Sequence, residues 1–482
     1  MSGLDLSVSR RPRKSVKSSK ATLLMPVENQ VRELDSKLLL ACIAAQRGFS
    51  SVIGPRREMH IKITAFPRSI YLAKSIPVHR NIIFRIMRKF GHKIVAWDEE
   101  ALVHPQAKIY YGRRVCPKGL RYVSHLFAWG EDNAELWQHY PELPSGTPIH
   151  ITGNPRGDLL RREMRDIYER DVKHLRSIYG DFILVNTNFN HVNAFSPDLN
   201  LFRPVKQAGD EPKFGRAAKG MSRDYAKGLR DHKQAVFEDF QRLIPTLEKA
   251  FPDHTIVVRP HPTENQDSYH KIAAHCQRVR VTNEGNVVPW ILAAKALIHN
   301  GCTTGVEAYV IGVPAISYRA TVNDFYDLGF YRLPNLLSYQ CFDFEELRII
   351  LGDILAGKLG PADSDERQEL INHHLVALDG PLACERMVDV LEGTIDGKFE
   401  LSETSRWDRL EGWSISAVRT LIKRSKERLP GSHNRPEFQR HRYPEVSLED
   451  ISARISRFQQ ILGDDTKLQV EGIYDEFFRI SR

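Results

Sequence analysis

Short apolar runs alternate with amphipathic helical stretches along most of this chain, and that alternation limits the possible folds more than any other feature. In the first part, strand-like runs fall at 22–27, 51–53, 69–73, 93–97, 126–129 and 148–152. Helical patterns separate them at 33–47, around Glu58, and at 79–90, 118–122 and 133–140. Strands joined through a helix must run parallel, because the crossover carries the chain back to the same end of the sheet. The spacing therefore predicts a Rossmann-like α/β unit over residues 21–153.

Gly153-Asn-Pro-Arg-Gly-Asp158 interrupts the pattern with two glycines and a proline, and a charged helix up to Tyr179 follows, so residues 154–180 read as a linker. A second parallel unit is expected over 181–397. Its strands fall at 182–188, 255–258, 280–281, 296–299 and 314–317, and its helices at 232–251, 268–279, 287–294 and 344–355. Between Phe195 and Arg230 no periodicity is visible, and this stretch reads as an excursion or lid. Two units and an extension suit 482 residues at roughly 150 per domain. Residues 398–482 read as a helical, basic extension: a helix at 414–429, a proline-containing linker to Pro444 and a helix at 448–462.

The net charge of +9 points to an anionic partner, whether nucleotide, polyanionic glycan or lipid surface. Nucleic acid is the weakest of these, because no helix-turn-helix, zinc-finger or aromatic-basic signature is present. Residues 1–20 hold six Lys or Arg against one acid, and no apolar core of a secretory signal follows them, so they read as a disordered basic arm. No apolar run approaches the roughly 18 residues of a membrane span. In helix 414–429, however, Ile415, Val418, Leu421 and Ile422 share a face beside Arg419, Lys423, Arg424 and Lys426. Such a helix suits either an inner-membrane surface or packing on the body. The six cysteines are scattered without a CxxC pair, which predicts no disulfide framework, no metal site and a reducing cytoplasm.

Two stretches carry the chemistry. In Thr255-Ile-Val-Val-Arg-Pro-His-Pro-Thr263 a β-branched run stops at prolines flanking His261, which places the imidazole just past a strand end. In Ala296–Tyr318 a strand enters a small polar turn and a helix opens at Thr303 or Thr304 and ends at Gly312. A strand, a glycine turn and a helix N-terminus form an anion site. Asn300, Gly301, Thr303 and Thr304 are the phosphate candidates there. Glu307 stands three residues after Thr304, so it reads either as a capping partner or as an acceptor for a ribose diol. Asn186, Thr187, Asn188 and Asn190 follow the first strand of the second unit and could line the same crevice, as could Arg259, His261 and Pro262.

In the first unit Asp98-Glu99-Glu100 follow a strand, and mutual repulsion is expected to raise at least one pKa and suit that carboxylate to remove a proton. The sequence does not choose among them. Glu28 and Arg32 could hold an acceptor, while Glu33 and Asp35 fit the first turn of a helix. Asp132 is expected to cap the helix after Trp129.

With these residues in place, the chain resembles the GT-B glycosyltransferase superfamily, two Rossmann-like domains across a cleft. Within it, the chain is similar to bacterial surface-carbohydrate proteins related to capsule transferases that use CMP-sugars. His261-Pro262 resembles the His-Pro motif that contacts the donor phosphate in CMP-sialic acid and CMP-octulosonate transferases. Thr303 and Thr304 fall where that group has a hydroxyl residue. Asp98-Glu99-Glu100 is similar to the acidic pair plus glycine that holds the base in GT-B sialyltransferases, with Ala101 in place of glycine. Teichoic-acid CDP-glycerol transferases have a similar Arg-Pro-His-Pro. The resemblance implies a cytoplasmic, metal-independent glycosyltransferase without a cofactor, which moves an acidic sugar from a CMP donor onto a surface glycan or its lipid-linked precursor. The alternatives are a sugar-nucleotide 2-epimerase, a CDP-glycerol-type polyol phosphate transferase and a non-catalytic glycan-assembly factor.

Overall fold

The computed structural model describes residues 19–76, 81–205, 211–327, 332–396, 403–429, 432 and 434–482. Most of the expected basic arm, the start of the helix expected from His79 and the boundary near Gly397 lie outside them.

The first sheet is built on β1 (Thr22–Val27), β2 (Ser50–Pro55), β3 (Ile70–Ala73), β4 (Lys93–Ala96), β5 (Val123–Ala128) and β6 (Ile149–Ile151). These six run parallel in the order β2-β1-β3-β4-β5-β6. The central strands read as continuous apolar runs because helices cover both faces. Helix Gln30–Gln46 lies against this sheet and is buried along most of its length, from Glu33 to Ala45.

The second sheet contains β7 (Phe182–Thr187), β8 (Thr255–Pro260), β9 (Val279–Val281), β10 (Ala296–His299), β11 (Ala315–Tyr318) and β12 (Tyr339–Cys341). All are parallel, in the order β12-β11-β10-β7-β8-β9. That is the doubly wound dinucleotide-fold order, with its switch point between β7 and β10. The carboxyl ends of both sheets face one cleft, which residues of both units line. This is the GT-B arrangement.

Several expectations need correction. The C-terminal segment is not wholly helical, since β13 (Gln469–Tyr474) and β14 (Phe477–Ser481) form a hairpin. Strand β14 pairs antiparallel with β2 and so extends the first sheet to eight strands. The alternation in Gln469–Ser481 was the available signal. Helix Ala383–Asp396 packs on helix Gln30–Gln46, as does helix Leu448–Leu462, so the chain returns to the first unit after the second sheet is complete. The long helix expected from His232 starts at Arg223, where Ser222 accepts the N–H of Tyr225. The basic helix is longer than expected, Arg406–Glu427, and lies on helix Asn81–Lys89. A β-carbon on Gly412 would come within 2.9 Å of Lys89 and Phe90, so this crossing requires glycine. Among the described residues no helix is long and apolar enough to cross a membrane.

Candidate functional site

The second unit builds its wall at the switch point. β10 ends in His299, which pairs in register with Asn186 at the end of β7. His299 is fully buried, and its Nδ1 accepts the Gly301 N–H at 2.9 Å. A backbone N–H can only donate, so the ring proton sits on Nε2, 2.9 Å from Ser338 Oγ. Burial holds the His299 pKa down at about 3, which keeps the ring neutral. Gly301 takes φ +84, a left-handed conformation that turns the strand sharply into helix Thr303–Ile311. Gly305 is equally constrained, because a β-carbon there would stand 2.5 Å from His299 Nε2. Close packing of strand, histidine and helix thus aims the positive helix end into the cleft, with Cys302, Thr303 and Thr304 at its rim.

The histidine loop comes from β8. Nδ1 of His261 accepts the Thr263 N–H at 3.2 Å and lies 2.8 Å from the Thr263 hydroxyl. The proton is therefore on Nε2, which has no protein partner among the described residues. Burial, followed by the positive charge of Arg32, lowers its pKa to about 4 despite Glu100 nearby. His261 is thus a neutral imidazole with an N–H donor on the cleft side. Buried Glu264 fixes the loop by accepting from the His261 N–H at 3.1 Å, the Thr187 hydroxyl at 3.0 Å and the Tyr269 hydroxyl at 2.7 Å. Arg259 donates to the carbonyls of Glu284, at 2.8 Å, and Gly285, and lies over the Trp290 ring. Its guanidinium shapes the 284–285 turn from within the wall.

The wall from the first unit is different: here charge is matched to charge. Buried Lys37 bridges Glu33 at 2.9 Å and Glu99 at 3.3 Å, and Lys74 reaches Glu33 and Glu28. Glu33 also accepts the N–H groups of Glu28 and Asn29. Burial alone would raise its pKa, but Lys37 and Lys74 hold it well below the carboxylate range. Arg32 pairs with Glu100 at 3.0 Å.

The Asp98-Glu99-Glu100 expectation is corrected on this point. Each of the three carboxylates has its own cation. Asp98 is buried under Arg114 and accepts the Tyr110 hydroxyl at 3.0 Å, and Glu99 is buried on Lys37. Neither lines the cleft. Glu100 does, on both sides of its pair with Arg32. Desolvation pushes the Glu100 pKa up, but Arg32, Arg114, Lys74 and Arg156 outweigh it and hold it at about 2.

The cleft has two adjoining compartments, of about 110 and 510 Å3. The inner one brings together Arg32 and Glu100 with Asn186, Thr187, Asn188, Arg259, His261, Pro262, Thr303, Thr304 and Glu307, which combines most of the sequence candidates from both units. The outer one adds Glu28 and Asn190. Glu28 is already held by Arg56, Lys74 and Arg442. Thr187 spends its hydroxyl on Glu264. Glu307 does not cap, because helix Thr303–Ile311 begins at Thr303, with Cys302 at the cap position. Instead Glu307 accepts from Arg156 at 2.6 Å. Asp132 does not cap its helix either; it accepts from His104 at 2.7 Å.

Several buried polar atoms on the wall of the second unit lack a partner. Both amide atoms of Asn186 are buried without a hydrogen bond among the described residues, as are Asn188 Oδ1, Asn300 Oδ1 and Glu307 Oε2. Asn186, Asn188 and Glu307 line the inner compartment, whereas Asn300 does not. Buried polar atoms are normally satisfied, and exceptions that line a cavity mark where a ligand supplies the missing partners.

Arg156 was missed in the sequence. Gly153–Asp158 looked like a mere break, yet it anchors the two units to each other. Asn154 caps its turn through the Arg156 N–H, Arg156 crosses to Glu307, and Asp158 accepts the N–H groups of Ala383 and Cys384 at 2.7 and 2.9 Å. Glu264 and Arg442 were also missed, since one sits in an ordinary turn pattern and the other is remote in sequence.

No family model and no curated protein sequence matches the chain. Among solved structures, it is similar to the wall teichoic acid polymerase TagF, at 10% identity and TM-score 0.48 over 79% of this chain and 90% of that one. It is also similar to UDP-GlcNAc 2-epimerase of Methanocaldococcus jannaschii, at 12% identity and TM-score 0.44 over 77% of this chain and 99% of that one. The corresponding enzyme of Neisseria meningitidis aligns at 11% identity and TM-score 0.43, over 78% and 100%.

Proposed function

We propose that the chain is a GT-B-type glycosyltransferase that moves an acidic sugar from a CMP-activated donor onto a glycan acceptor. The observation that carries this reading is the cluster of partnerless buried atoms at the switch point, centred on Asn186. A nucleoside offers the donors and acceptors that these amides lack, and its phosphate meets the N-terminus of helix Thr303–Ile311. His261 donates from Nε2 to the phosphate oxygen on which charge grows as the glycosidic bond breaks, an electrostatic role that a neutral imidazole can fill. Arg113, Lys233 and Arg442 line the outer compartment and suit a carboxylate on the transferred sugar.

Glu100 stands between the compartments and orients the acceptor hydroxyl. With a pKa near 2 it is a weak base. It can take the proton late, once an oxocarbenium-like centre has made the hydroxyl acidic.

A thermal-shift panel of CMP, CDP, UDP and GDP tests the reading. CMP is expected to raise the melting temperature most, and Asn186→Ala to abolish the response. A stronger response to UDP or GDP would overturn the donor assignment, and no response to any nucleotide would overturn the site.

A further inference from the structure

A third cavity, of about 970 Å3, opens on the far side of Glu28, Thr263 and Arg442, which also line the outer compartment of the cleft. Its walls are the basic helix Arg406–Glu427, the strand end at Pro55–Arg57 and helix Pro436–Arg442. The lining is both cationic and apolar. Arg56, Arg57, Arg419, Lys423, Lys426 and Arg442 stand against Glu28, the one lining carboxylate among the described residues. Glu28 is already shared by Arg56, Lys74 and Arg442. Arg57 pairs with Glu58 and Glu427 beside the cavity, while Arg57 Nε and Arg442 Nε are buried there without a hydrogen bond among the described residues. Between these cations run Ile83, Ile415, Ile422 and Phe438.

The outer face of the same helix is unusual for a protein surface. Trp407 is 78% exposed, Trp413 60% and Leu421 65%, and Leu410 lies open on the same side. Arg406, Arg424 and Arg428 border this stripe. Exposed tryptophan and leucine flanked by arginine fit the bilayer interface, where the rings sit at headgroup depth and the cations meet anionic lipid.

We infer that this groove is a binding site for an anionic amphiphile, a phosphate headgroup on a hydrocarbon chain, drawn from a bilayer on which the helix rests. Charge complementarity places the headgroup among the arginines. The isoleucines and Phe438 take the first carbons of the chain. Continuity through Thr263 and Arg442 brings the headgroup end to the outer compartment of the cleft. That this amphiphile carries the acceptor rests on the transferase reading; the site itself does not.

The test uses the full chain titrated with farnesyl phosphate below its micellar concentration, with farnesol and inorganic phosphate in parallel. Farnesyl phosphate is expected to bind at least tenfold more tightly than either. The double variant Ile422→Glu, Lys426→Glu changes two exposed helix positions and is expected to weaken that binding at least tenfold. Its melting temperature and nucleotide response should be unchanged, which separates this site from the cleft. In sedimentation, vesicles of phosphatidylcholine with one-third phosphatidylglycerol should retain the chain, and Trp407→Ser, Leu421→Ser should release it. Unweakened binding by the double variant overturns the proposal, as does equal binding of inorganic phosphate, which would mark a site for a soluble anion. Equal retention on pure phosphatidylcholine would overturn the anionic bilayer as the source.

Discussion

The two walls of the cleft solve opposite problems. On the first unit, Glu33, Lys37, Lys74, Glu99, Arg32 and Glu100 each have an oppositely charged partner, and of their carboxylate oxygens Glu99 Oε2 is buried without a hydrogen bond. On the second, histidines are neutral and the side-chain amides of Asn186, Asn188 and Asn300 are left short of partners. A wall satisfied in itself is rigid and keeps its shape whether or not a ligand is present. A wall with unmet hydrogen bonds gains most when something arrives. The difference separates scaffold from receptor without reference to any relative.

The comparison breaks most visibly at Lys37. Lys37→Met leaves Glu33 and Glu99 buried without their shared cation and should cost about 3–5 kcal/mol in urea denaturation. A loss below about 1 kcal/mol would show that the first wall is not held by its charges. On the second wall, Gly305→Ala drives a β-carbon against His299 and should cost about 1–3 kcal/mol through packing alone, with the helix end displaced. Asn186→Leu should do the reverse of Lys37→Met. The free protein keeps its stability or gains about 1 kcal/mol, while nucleotide binding weakens more than tenfold. Destabilisation above about 2 kcal/mol would show that the amide is partnered after all.

The smallest effect is in pH. His261 titrates near 6.5 when unfolded and near 4 when folded, so below pH 6.5 the unfolded chain binds the extra proton and stability falls as pH drops. Between pH 7 and 6 this one group should contribute a loss of about 0.7 kcal/mol, and His261→Ala should remove that share from the urea midpoints. An unchanged pH slope would mean that the imidazole is not held neutral.

What the sequence disclosed follows from the range of the interactions. Strand–helix alternation is local, and it revealed both parallel sheets. The helix end at Thr303, the His261 turn and the αL stop at Gly312 are also set by a few neighbouring residues. The partners of Asp98, Glu99 and Glu100 were hidden because Arg114, Lys37 and Arg32 lie 16, 62 and 68 residues away in sequence. A charge seen without its partner looks reactive; the pairs take Asp98 and Glu99 out of the cleft and leave Glu100 in it. Arg156 was misread for the same reason, since its worth lies in Glu307, 151 residues on.

The hairpin of residues 469–481 has a consequence for how the protein is made. Strand β2 is finished early in synthesis, but its outer edge is covered only when β14 arrives and Phe477 settles over Gly54. At roughly 5–20 residues per second the ribosome leaves that edge unpaired for tens of seconds, during which the whole second unit emerges and can fold. An open edge strand is a template for pairing with other chains. The first unit to be synthesised is therefore the last to be completed.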